Sequence, residues 1–334
     1  MKAAVLHAAK DLRIEGAADP SPGAGEVLVR VRAAGLCGTD FRIWSGDRPV
    51  RYPLIMGHEF IGEVAAVGAG VANVKPGDTV AVEPNYSCGS CALCREGNRN
   101  LCLSRTAVGI DVDGGFAELA LIPARCCWPA PPGLSPEQLL LSEPLAVVVR
   151  AVSRSAVRTG ETAAVVGAGT LGLLATQVLR SRGARVLVVS RSDRRLSLAR
   201  ALGAEAVQSL AAGPGAEAAR RFSGREGVDV VVETAGTPEA VEEAVDLARP
   251  GGRIVLTGLP HEPSRVHFFW VVRRELTIVG SMIYQDEFPE AMRLLRDGAV
   301  NAEALVTHRF GLDRIQEAFA AQRAPASIKV AVIP

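Results

Sequence analysis

The second half of the chain alternates short apolar segments with longer helical ones, and this alternation limits the fold more than any other feature. The apolar segments have the composition of strands, and helical runs of about 10–15 residues separate most of them. The pattern is typical of βαβ units, which build a parallel sheet with helices on both faces. Segments as apolar as VDVVV fit burial on both faces. The sequence therefore predicts a doubly wound α/β fold, with strands in TAAVVG, RVLVVS, AEAVQS, VDVVVETAG, RIVLTG and LTIVGS.

The first part of the chain, about 150 residues, follows a different pattern, in which turns separate short β-like runs. Turn signals recur at Pro22-Gly23 and Pro76-Gly77, and the pattern changes after Glu143-Pro144. We therefore predict a β-rich first domain, with strands in EVLVRVRAAG, FIGEVAAVG and DTVAVE.

A glycine-rich turn lies between the first strand of the α/β part and the helix after it. It has the GxGxxG pattern, which is weak alone but binds dinucleotides in a strand–turn–helix setting. The first glycine allows the tight turn, the second lets the backbone approach a pyrophosphate, and the third permits close helix–strand packing. The helix N-terminus offers free N–H groups to phosphate. We expect cofactor contacts from Gly167, Gly169, Thr170, Leu171 and Gly172, and further along the chain from Gly258 and Leu259.

The end of the second α/β strand distinguishes between the two nicotinamide dinucleotides. NAD sites usually carry Asp or Glu there, to bind the ribose 2′-hydroxyl. This chain has Ser190-Arg191, with Arg195 shortly after, and a guanidinium binds phosphate in a forked geometry. We therefore predict that NADP binds to Ser190, Arg191 and Arg195. NAD stays as the alternative, with Asp193 as a displaced carboxylate, although that position also suits a helix cap.

Four of the seven cysteines fall in one short window inside the β-rich part. Cys88, Cys91 and Cys94 are spaced C-x2-C-x2-C, and Cys102 follows after seven residues. Zinc in closed structural sites prefers four sulfurs in a tetrahedron, at about 2.3 Å each. We predict that these four cysteines hold a structural Zn²⁺. A redox-active cluster is the alternative interpretation.

Composition excludes several classes of protein. Apolar residues make up 48% of the chain and charged residues 22%, which is typical of a globular protein and not of a disordered one. The net charge of +1 gives no field that would attract nucleic acid or anionic lipid. We find no signal-peptide pattern and no apolar stretch approaching the ~20 residues of a membrane span. We therefore expect a cytoplasmic protein whose partners are small molecules, not nucleic acid or membrane.

Two short motifs in the β-rich part contain further metal-binding side chains. Cys37-Gly38-Thr39-Asp40 and Gly57-His58-Glu59 lie about twenty residues apart, and Cys, His and Glu are all competent zinc ligands. Taken alone, each motif is unremarkable, since a buried Cys is often only a small hydrophobe. As a set with the cysteine window and the dinucleotide motif that follow, they are more specific.

The whole set of motifs resembles that of the zinc-dependent medium-chain alcohol/polyol dehydrogenases, in the sorbitol and threonine dehydrogenase branch. The family motif G-H-E-x-x-G-x-x-x-x-x-G is present at Gly57-His58-Glu59, Gly62 and Gly68. CGTD is present at Cys37–Asp40, and the cysteine window matches all four positions of the family's structural lobe. The resemblance covers essentially the whole chain.

The resemblance implies a GroES-like β-barrel catalytic domain and a Rossmann cofactor-binding domain. In the family, the C-terminal segment returns to the barrel. We therefore expect a catalytic domain formed by residues 1–146 and completed by 283–334, with the Rossmann domain at 147–282.

The resemblance also assigns the catalytic site. It implies that Cys37, His58 and Glu59 hold a catalytic Zn²⁺, and that Glu143 occupies a further ligand position that is often Cys in the family. Which of Glu59 and Glu143 ligates directly is left open. Thr39 matches the hydroxyl of the proton relay. Asp40 matches the carboxylate that orients the ligand histidine.

The activity implied is hydride transfer between a secondary alcohol and a nicotinamide cofactor. We favour a polyol, a cyclitol or another vicinal secondary alcohol as the substrate, with L-threonine and butanediol as alternatives. A zinc-free quinone reductase is disfavoured because such enzymes lack these ligands. A non-catalytic nucleotide-binding protein is a further alternative, since fold alone does not establish activity. The family resemblance favours a homo-oligomer, and we expect a tetramer, with a dimer as the alternative.

Overall fold

The structure, a computed structural model, describes residues 1–334 and contains two compact units. The first unit comprises Met1–Glu143, Ala291–Arg296 and Ala302–Pro334, and the second comprises Pro144–Glu290 and Asp297–Asn301. The chain leaves the first unit after Glu143 and also ends in it, and it crosses between the two units four times. The division expected from the sequence, 1–146 with 283–334 and 147–282, has three segments, whereas the structure has five, because Asp297–Asn301 belongs to the second unit.

The first unit is built from β-strands in three sheets. Its strands are β1 (Lys2–Ala8), β2 (Asp11–Gly16), β3 (Glu26–Gly35), β4 (Leu54–Ile55), β5 (Glu59–Val67), β6 (Thr79–Val82), β7 (Asn85–Tyr86), β8 (Thr106–Ala107), β9 (Leu119–Pro123), β10 (Cys127–Pro129), β17 (Val306–Gly311) and β18 (Lys329–Ile333). The largest sheet has the order β10-β6-β5-β3-β18-β17, with β9 also paired to β3. A smaller sheet has the order β2-β1-β4, and β7 pairs with β8.

The helices of the first unit are short. They are α1 (Gly38–Ser45), α2 (Ala92–Arg95), α3 (Pro136–Leu140), α10 (Phe288–Arg296) and α11 (Ile315–Gln322), of which α10 begins in the second unit. The core between the sheets is apolar, and its largest fully buried side chains include Phe60, Phe116 and Ile122. Cys126 and Cys127 are buried in this core, which agrees with a packing role.

The second unit is a six-stranded parallel sheet covered by helices. Its strands are β11 (Thr162–Val166), β12 (Arg185–Ser190), β13 (Ala206–Ser209), β14 (Val228–Glu233), β15 (Ala248–Leu256) and β16 (Thr277–Gly280). Its helices are α4 (Ser142–Arg154, beginning in the first unit), α5 (Thr170–Ser181), α6 (Asp193–Ala201), α7 (Gly215–Ser223), α8 (Pro238–Leu247) and α9 (Phe268–Arg273). The strand order is β13-β12-β11-β14-β15-β16.

The central strands of this sheet are buried along their whole length. All residues of β11 and β14 are buried, and β14 lies between β11 and β15, with Val165 opposite Val232. Because helices cover both faces, the apolar runs of the sequence form central strands, as predicted. The strand order reverses at β11, which places the glycine-rich turn at the point where dinucleotides bind in such sheets.

The fold class predicted from the sequence is therefore confirmed: a β-barrel unit is combined with a doubly wound α/β unit. No helix combines the length and the apolar character that a membrane crossing requires.

Candidate active site

Helix α1 begins at the CGTD motif and brings its first turn to the predicted metal site. Cys37 is the N-cap in extended conformation, and its N–H donates to Asp40 Oδ2 at 2.8 Å. This carboxylate satisfies one of the unpaired donors at the helix start. Gly46, with φ 89°, ends the helix in the left-handed conformation that favours glycine. Thr39 lies in the first turn and is partly exposed.

His58 and Glu59 lie where a tight loop enters β5. Gly57 has φ 94°, and a Cβ there would lie 2.7 Å from the Phe116 ring, so the loop requires glycine. Gly35 is opposite Glu59 in the β3–β5 pair, and a Cβ on Gly35 would lie 2.8 Å from Glu59 Oε2. Gly57 thus leaves room for the Phe116 ring, and Gly35 leaves room for the Glu59 carboxylate.

These two segments bring Cys37, His58 and Glu59 together. One ligand atom from each, a sulfur, a ring nitrogen and a carboxylate oxygen, lie within 4.8 Å of one another. One thiolate, one imidazole and one carboxylate form a donor set that suits zinc, and a catalytic zinc keeps a fourth position open. The residues present therefore fit the metal that the sequence implies.

Asp40 and Cys37 set the electrostatics of His58. Burial alone would lower the pKa of His58, but the charges of Asp40 and Cys37 outweigh burial and raise it well above its ordinary value. Asp40 Oδ1 lies 3.3 Å from His58 Nδ1, and both side chains are buried. The contact is close but not aligned as a full hydrogen bond. The ring is thereby turned with Nδ1 toward a carboxylate, which leaves Nε2 available to a metal.

Sequence reasoning missed one buried residue of this site, Lys329 on β18. Its Nζ lies 2.5 Å from Glu59 Oε2 and donates to Leu36 O at 3.1 Å, and both charged side chains are 3% exposed. Burial lowers the pKa of Lys329, but the charges of Glu59 and Cys37 outweigh it, so that the pKa is raised. A single lysine in the apolar run IKVAVIP was the available signal, since an unpaired buried charge is rare.

Glu143, the other carboxylate of the predicted metal site, is not among the side chains that cluster within 4.8 Å. It is buried in the first turn of α4, at the end of the first unit, and its charge contributes to raising the pKa of Lys329. The structure thus places Glu59 closer than Glu143 to Cys37 and His58.

The cysteine window forms a separate cluster in the same unit. The sulfur atoms of its four cysteines lie within 4.8 Å of one another, with individual separations of 3.5 to 4.0 Å. A tetrahedron with zinc–sulfur bonds of about 2.3 Å has edges of about 3.8 Å. None of the cysteines forms a disulfide. The geometry therefore fits a structural zinc site.

Backbone N–H groups prepare this cluster for a cation. The amides of Ser90 and Cys91 point at the Cys88 sulfur, at 3.5 and 3.4 Å, and lower the pKa of that thiol to about 6. Burial and the neighbouring thiols raise the pKa of Cys94 to about 11. Four thiolates repel one another, so full ionisation requires a cation among them.

In the second unit, the glycine-rich turn has the geometry that its pattern predicts. Gly167 has φ 96°, and Gly169 is the N-cap of α5, with no atom within 4 Å of a Cβ placed there. A Cβ on Gly172 would lie 1.9 Å from Gly167 O, so the third glycine is required for close packing. Thr170 and Leu171 form the first helical turn and are partly exposed. The turn thus presents open backbone at a helix N-terminus.

The residues expected to select NADP follow β12. Ser190 ends the strand and is partly exposed, Arg191 is exposed, and Arg195 lies in α6, where burial lowers the pKa of its guanidinium. The N-cap of α6 is Ser192, so Asp193 lies in the first turn of the helix and is not its cap.

A second buried residue that sequence reasoning missed, Glu233, ends β14 beside the cofactor turn. Its Oε1 accepts the N–H groups of Ala235 and Gly236, at 2.6 and 2.8 Å. Its backbone carbonyl accepts the N–H groups of Thr257 and Gly258. Burial raises the pKa of this carboxyl. Glu233 thus ties together the loop after β14 and the loop after β15, in which Gly258 is packed against Gly236 and Leu259 is exposed.

Comparison with known proteins supports both units. A family model for the alcohol dehydrogenase GroES-like domain matches residues 23–132, and a zinc-binding dehydrogenase model matches residues 170–297. The chain is 35% identical over 345 residues to sorbitol dehydrogenase of Bacillus subtilis, covering 100% of this chain and 97% of the relative. It is 37% identical over 314 residues to L-threonine 3-dehydrogenase of Saccharopolyspora erythraea, covering 92% and 91%.

Solved structures share the whole architecture. A protein from Sinorhizobium meliloti, described as a zinc-binding dehydrogenase and bound to NADP, matches with a TM-score of 0.96, 36% identity and coverage of 100% and 99%. An Escherichia coli alcohol dehydrogenase (rspB) in complex with NADH gives a TM-score of 0.93, 33% identity and the same coverage. A Bacillus subtilis 2R,3R-butanediol dehydrogenase gives a TM-score of 0.91 and 33% identity, with coverage of 100% of this chain and 99% of the other. With its metal-binding residues, its glycine-rich turn and these relatives, the chain belongs to the zinc-dependent medium-chain alcohol/polyol dehydrogenase family.

Proposed function

We propose that this protein transfers a hydride between a vicinal secondary alcohol, of the polyol or cyclitol type, and a nicotinamide cofactor. The observation that carries the proposal is the meeting of Cys37, His58 and Glu59 within 4.8 Å, in the barrel unit of a zinc-binding dehydrogenase. A bound zinc supplies Lewis acidity, which lowers the pKa of a substrate hydroxyl. Glu59 is the carboxylate that we assign to this metal, and Glu143 stays as an alternative.

In this proposal, two residues of α1 support the chemistry. Asp40 holds the His58 ring in one orientation and is itself held by the Cys37 N–H. Thr39 offers a partly exposed hydroxyl two residues after Cys37, which accepts the substrate proton and passes it on. Thr39→Ala should lower kcat by about 10²- to 10⁴-fold with zinc content unchanged, and Thr39→Ser should keep most of the activity. Near-normal turnover by the alanine variant would remove Thr39 from the mechanism.

We assign NADP as the preferred cofactor and keep NAD as the alternative. No carboxylate ends β12, and Ser190 with the exposed Arg191 takes its place. One similar structure carries NADP and another NADH, so both cofactors occur among close folds. The test compares kcat/KM for the two cofactors in wild type and Arg191→Ala. We expect a higher kcat/KM with NADP in the wild type, and in the variant a larger loss of kcat/KM with NADP than with NAD. A tenfold preference of the wild type for NAD would contradict the assignment.

L-threonine and butanediol stay as alternative substrates, because relatives of similar identity are named for them. A panel of polyols, cyclitols, L-threonine and 2,3-butanediol, followed by reduced-nicotinamide absorbance, separates these options. The highest kcat/KM on a polyol or cyclitol supports the first assignment. The highest on L-threonine or butanediol replaces it.

Metal analysis tests the proposal against the non-catalytic and zinc-free alternatives. The two clusters predict about two zinc ions per chain, one in each. One zinc that stays when Cys37 is replaced indicates a nucleotide-binding protein that keeps only its structural lobe. No zinc indicates a quinone reductase type of chemistry.

We further propose that the enzyme works in the cytoplasm as a homo-oligomer, a tetramer or a dimer. The support is the edge strand β16, whose outer side has no partner strand within the chain, and the exposed apolar side chains of α9 that precede it. Open sheet edges and apolar patches are surfaces on which subunits assemble.

A further inference from the structure

Three arginines of the barrel unit lie close to one another. Arg42 is in α1, Arg48 is in the turn after it, and Arg105 directly precedes β8. The Arg48 N–H donates to Arg42 O at 2.9 Å, so the turn after α1 brings the backbones of these two residues together. Burial lowers the pKa of the Arg48 guanidinium, and the charges of Arg105 and Arg42 lower it further, against opposing contributions from Asp111 and Asp40. The charges of Arg42 and Arg105 thus lie close enough to act on the Arg48 guanidinium.

This arginine cluster (Arg42, Arg48 and Arg105) lies beside the predicted metal ligands. Helix α1 starts at Cys37 and contains Asp40, which contacts His58. The segment after β8 packs against the loop that holds His58, because a Cβ on Gly109 would lie 2.4 Å from Gly57 O. Both segments that carry the arginines thus contact the metal-binding residues or their loop.

The cluster has no anionic partner within the protein. No hydrogen bond or ion pair engages the guanidinium of Arg42 or Arg48, and Arg105 donates only to the neutral side-chain carbonyl of Asn85. Other partly buried arginines of the chain are paired, as Arg150 is with Glu287 and Arg253 with Glu161.

The two acidic residues of this region do not serve as counter-ions for the arginine cluster. Asp40 is committed to Cys37 and His58, and the exposed Asp111 accepts the Ala107 N–H at 2.8 Å. Partly buried guanidinium groups without a counter-ion are costly, and they are more stable when an anion is bound. The three guanidinium groups of the arginine cluster therefore lack a counter-anion within the protein.

We propose that the alcohol oxidised here carries an anionic group, a carboxylate or a phosphate, which Arg48 binds with the help of Arg42 and Arg105. The substrate class is then a polyhydroxy acid or a polyol phosphate, not a neutral polyol. This rests on the proposed function and narrows it. The guanidinium fork matches either anion through two parallel hydrogen bonds, and it orients the molecule as well as binding it.

Three probes with one carbon skeleton test the proposal: D-glucitol, D-gluconate and D-glucitol 6-phosphate. Wild-type enzyme should show a kcat/KM at least tenfold higher on one of the two anions than on D-glucitol, and the better anion identifies the source of the charge. Arg48→Gln should reduce this preference by about 10- to 100-fold, mainly through KM, because a hydrogen-bonded charge pair is lost. Arg48→Lys should keep part of it.

The control is Arg32→Gln, which removes the same charge from an exposed residue on β3 that pairs with Glu63. It should leave the preference unchanged, which excludes an effect of net charge alone. Zinc content and the thermal midpoint of each variant report on folding. A wild-type preference for D-glucitol, or an equal loss on all three probes in Arg48→Gln, overturns the anion proposal while the dehydrogenase activity stands.

Failure of the proposed function gives a different result. If no probe reduces either cofactor, calorimetric titration of the zinc-loaded protein with D-gluconate and D-glucitol 6-phosphate decides the matter. Binding that is lost in Arg48→Gln and kept in Arg32→Gln supports the arginine site even so. No binding to the wild type overturns it.

Discussion

Buried charges in this protein are held by specific partners, and Lys329 is the clearest case. Lys329 lies on β18 and forms a buried ion pair with Glu59 on β5. The carboxylate that we assign to the metal is therefore balanced by a cation of the protein. Each charge thus compensates the other where neither has access to water.

Lys329→Met should destabilise the metal-free barrel by about 3–5 kcal/mol, because Glu59 is left buried and unpaired. The measurement is the thermal midpoint of chelator-treated protein. The double variant Glu59→Gln with Lys329→Met is the control, and it should lose clearly less than the sum of the two single changes. Additive losses would show that the two side chains do not interact.

Asp229 gives a pH dependence at the residue scale. Burial raises its pKa, but hydrogen bonds from Thr162 and Arg249 outweigh burial and lower it to about 2. A carboxyl whose pKa is lower in the folded state stabilises the fold above its unfolded pKa of about 3.9, and the benefit disappears as pH falls toward 2. After allowance for solvent screening, we expect about 1–2 kcal/mol.

The measurement is the stability of wild type and Asp229→Asn between pH 7 and pH 2. The variant should be less stable at pH 7, and the gap should close between about pH 5 and pH 2. A gap that is constant over this range would assign the loss to packing and not to the charge.

At the scale of elements, Gly169 and Gly172 of the cofactor turn have different roles, one in cofactor binding and the other in helix–strand packing. Gly172→Ala introduces a Cβ 1.9 Å from Gly167 O, whereas a Cβ on Gly169 meets nothing within 4 Å. We expect Gly172→Ala to destabilise the second unit by about 1–3 kcal/mol. Gly169→Ala should cost less than about 1 kcal/mol and weaken cofactor binding, because the pyrophosphate approaches there. Thermal melts and cofactor titration by fluorescence measure the two effects, and equal stability losses would contradict the distinction.

The cysteine lobe should depend on its metal as one element. Cys102→Ser should remove one zinc per chain and make the segment between residues 85 and 105 sensitive to protease, because zinc supplies most of the folding energy of such lobes. Cys37→Ser is the matched control, since it should also lower the zinc content while the lobe stays resistant. Unchanged zinc in Cys102→Ser would contradict the structural site.

The elements predicted from the sequence are those with local signals. The strand of Val228–Glu233 and the helix of Thr170–Ser181 could be predicted because periodicity and a glycine turn mark them. Helix α7, Gly215–Ser223, was missed because Pro and Gly surround its start. The Lys329–Glu59 pair joins residues 270 positions apart, so only the folded chain reveals it. The distance of Glu143 from Cys37 and His58 is a tertiary property of the same kind.

At the scale of the whole molecule, one edge of the parallel sheet lies beside a helix with exposed apolar side chains. Strand β16 forms this edge and pairs only with β15, and α9 before it exposes Phe268, Phe269, Trp270 and Val272. An edge strand pairs readily with its own copy across a two-fold axis, which continues the sheet through both subunits. The apolar side chains would then be covered.

Light scattering after size-exclusion chromatography should therefore give a mass above that of a monomer. Phe268→Glu with Val272→Glu should shift the protein toward the monomer, because charge on an apolar interface is costly. The control is Leu103→Glu, which adds the same charge at an exposed apolar residue of the cysteine lobe and should leave the mass unchanged. A monomeric wild type would contradict the assembly.

The return of the chain to the barrel also orders its synthesis. Strand β18 lies between β3 and β17 in the large sheet, yet a ribosome delivers it after all of the parallel sheet. The nascent α/β unit can fold while the barrel still lacks the strand that carries the counter-ion of Glu59. During translation, the barrel therefore lacks the counter-ion of Glu59 until the last strand, with Lys329, has emerged.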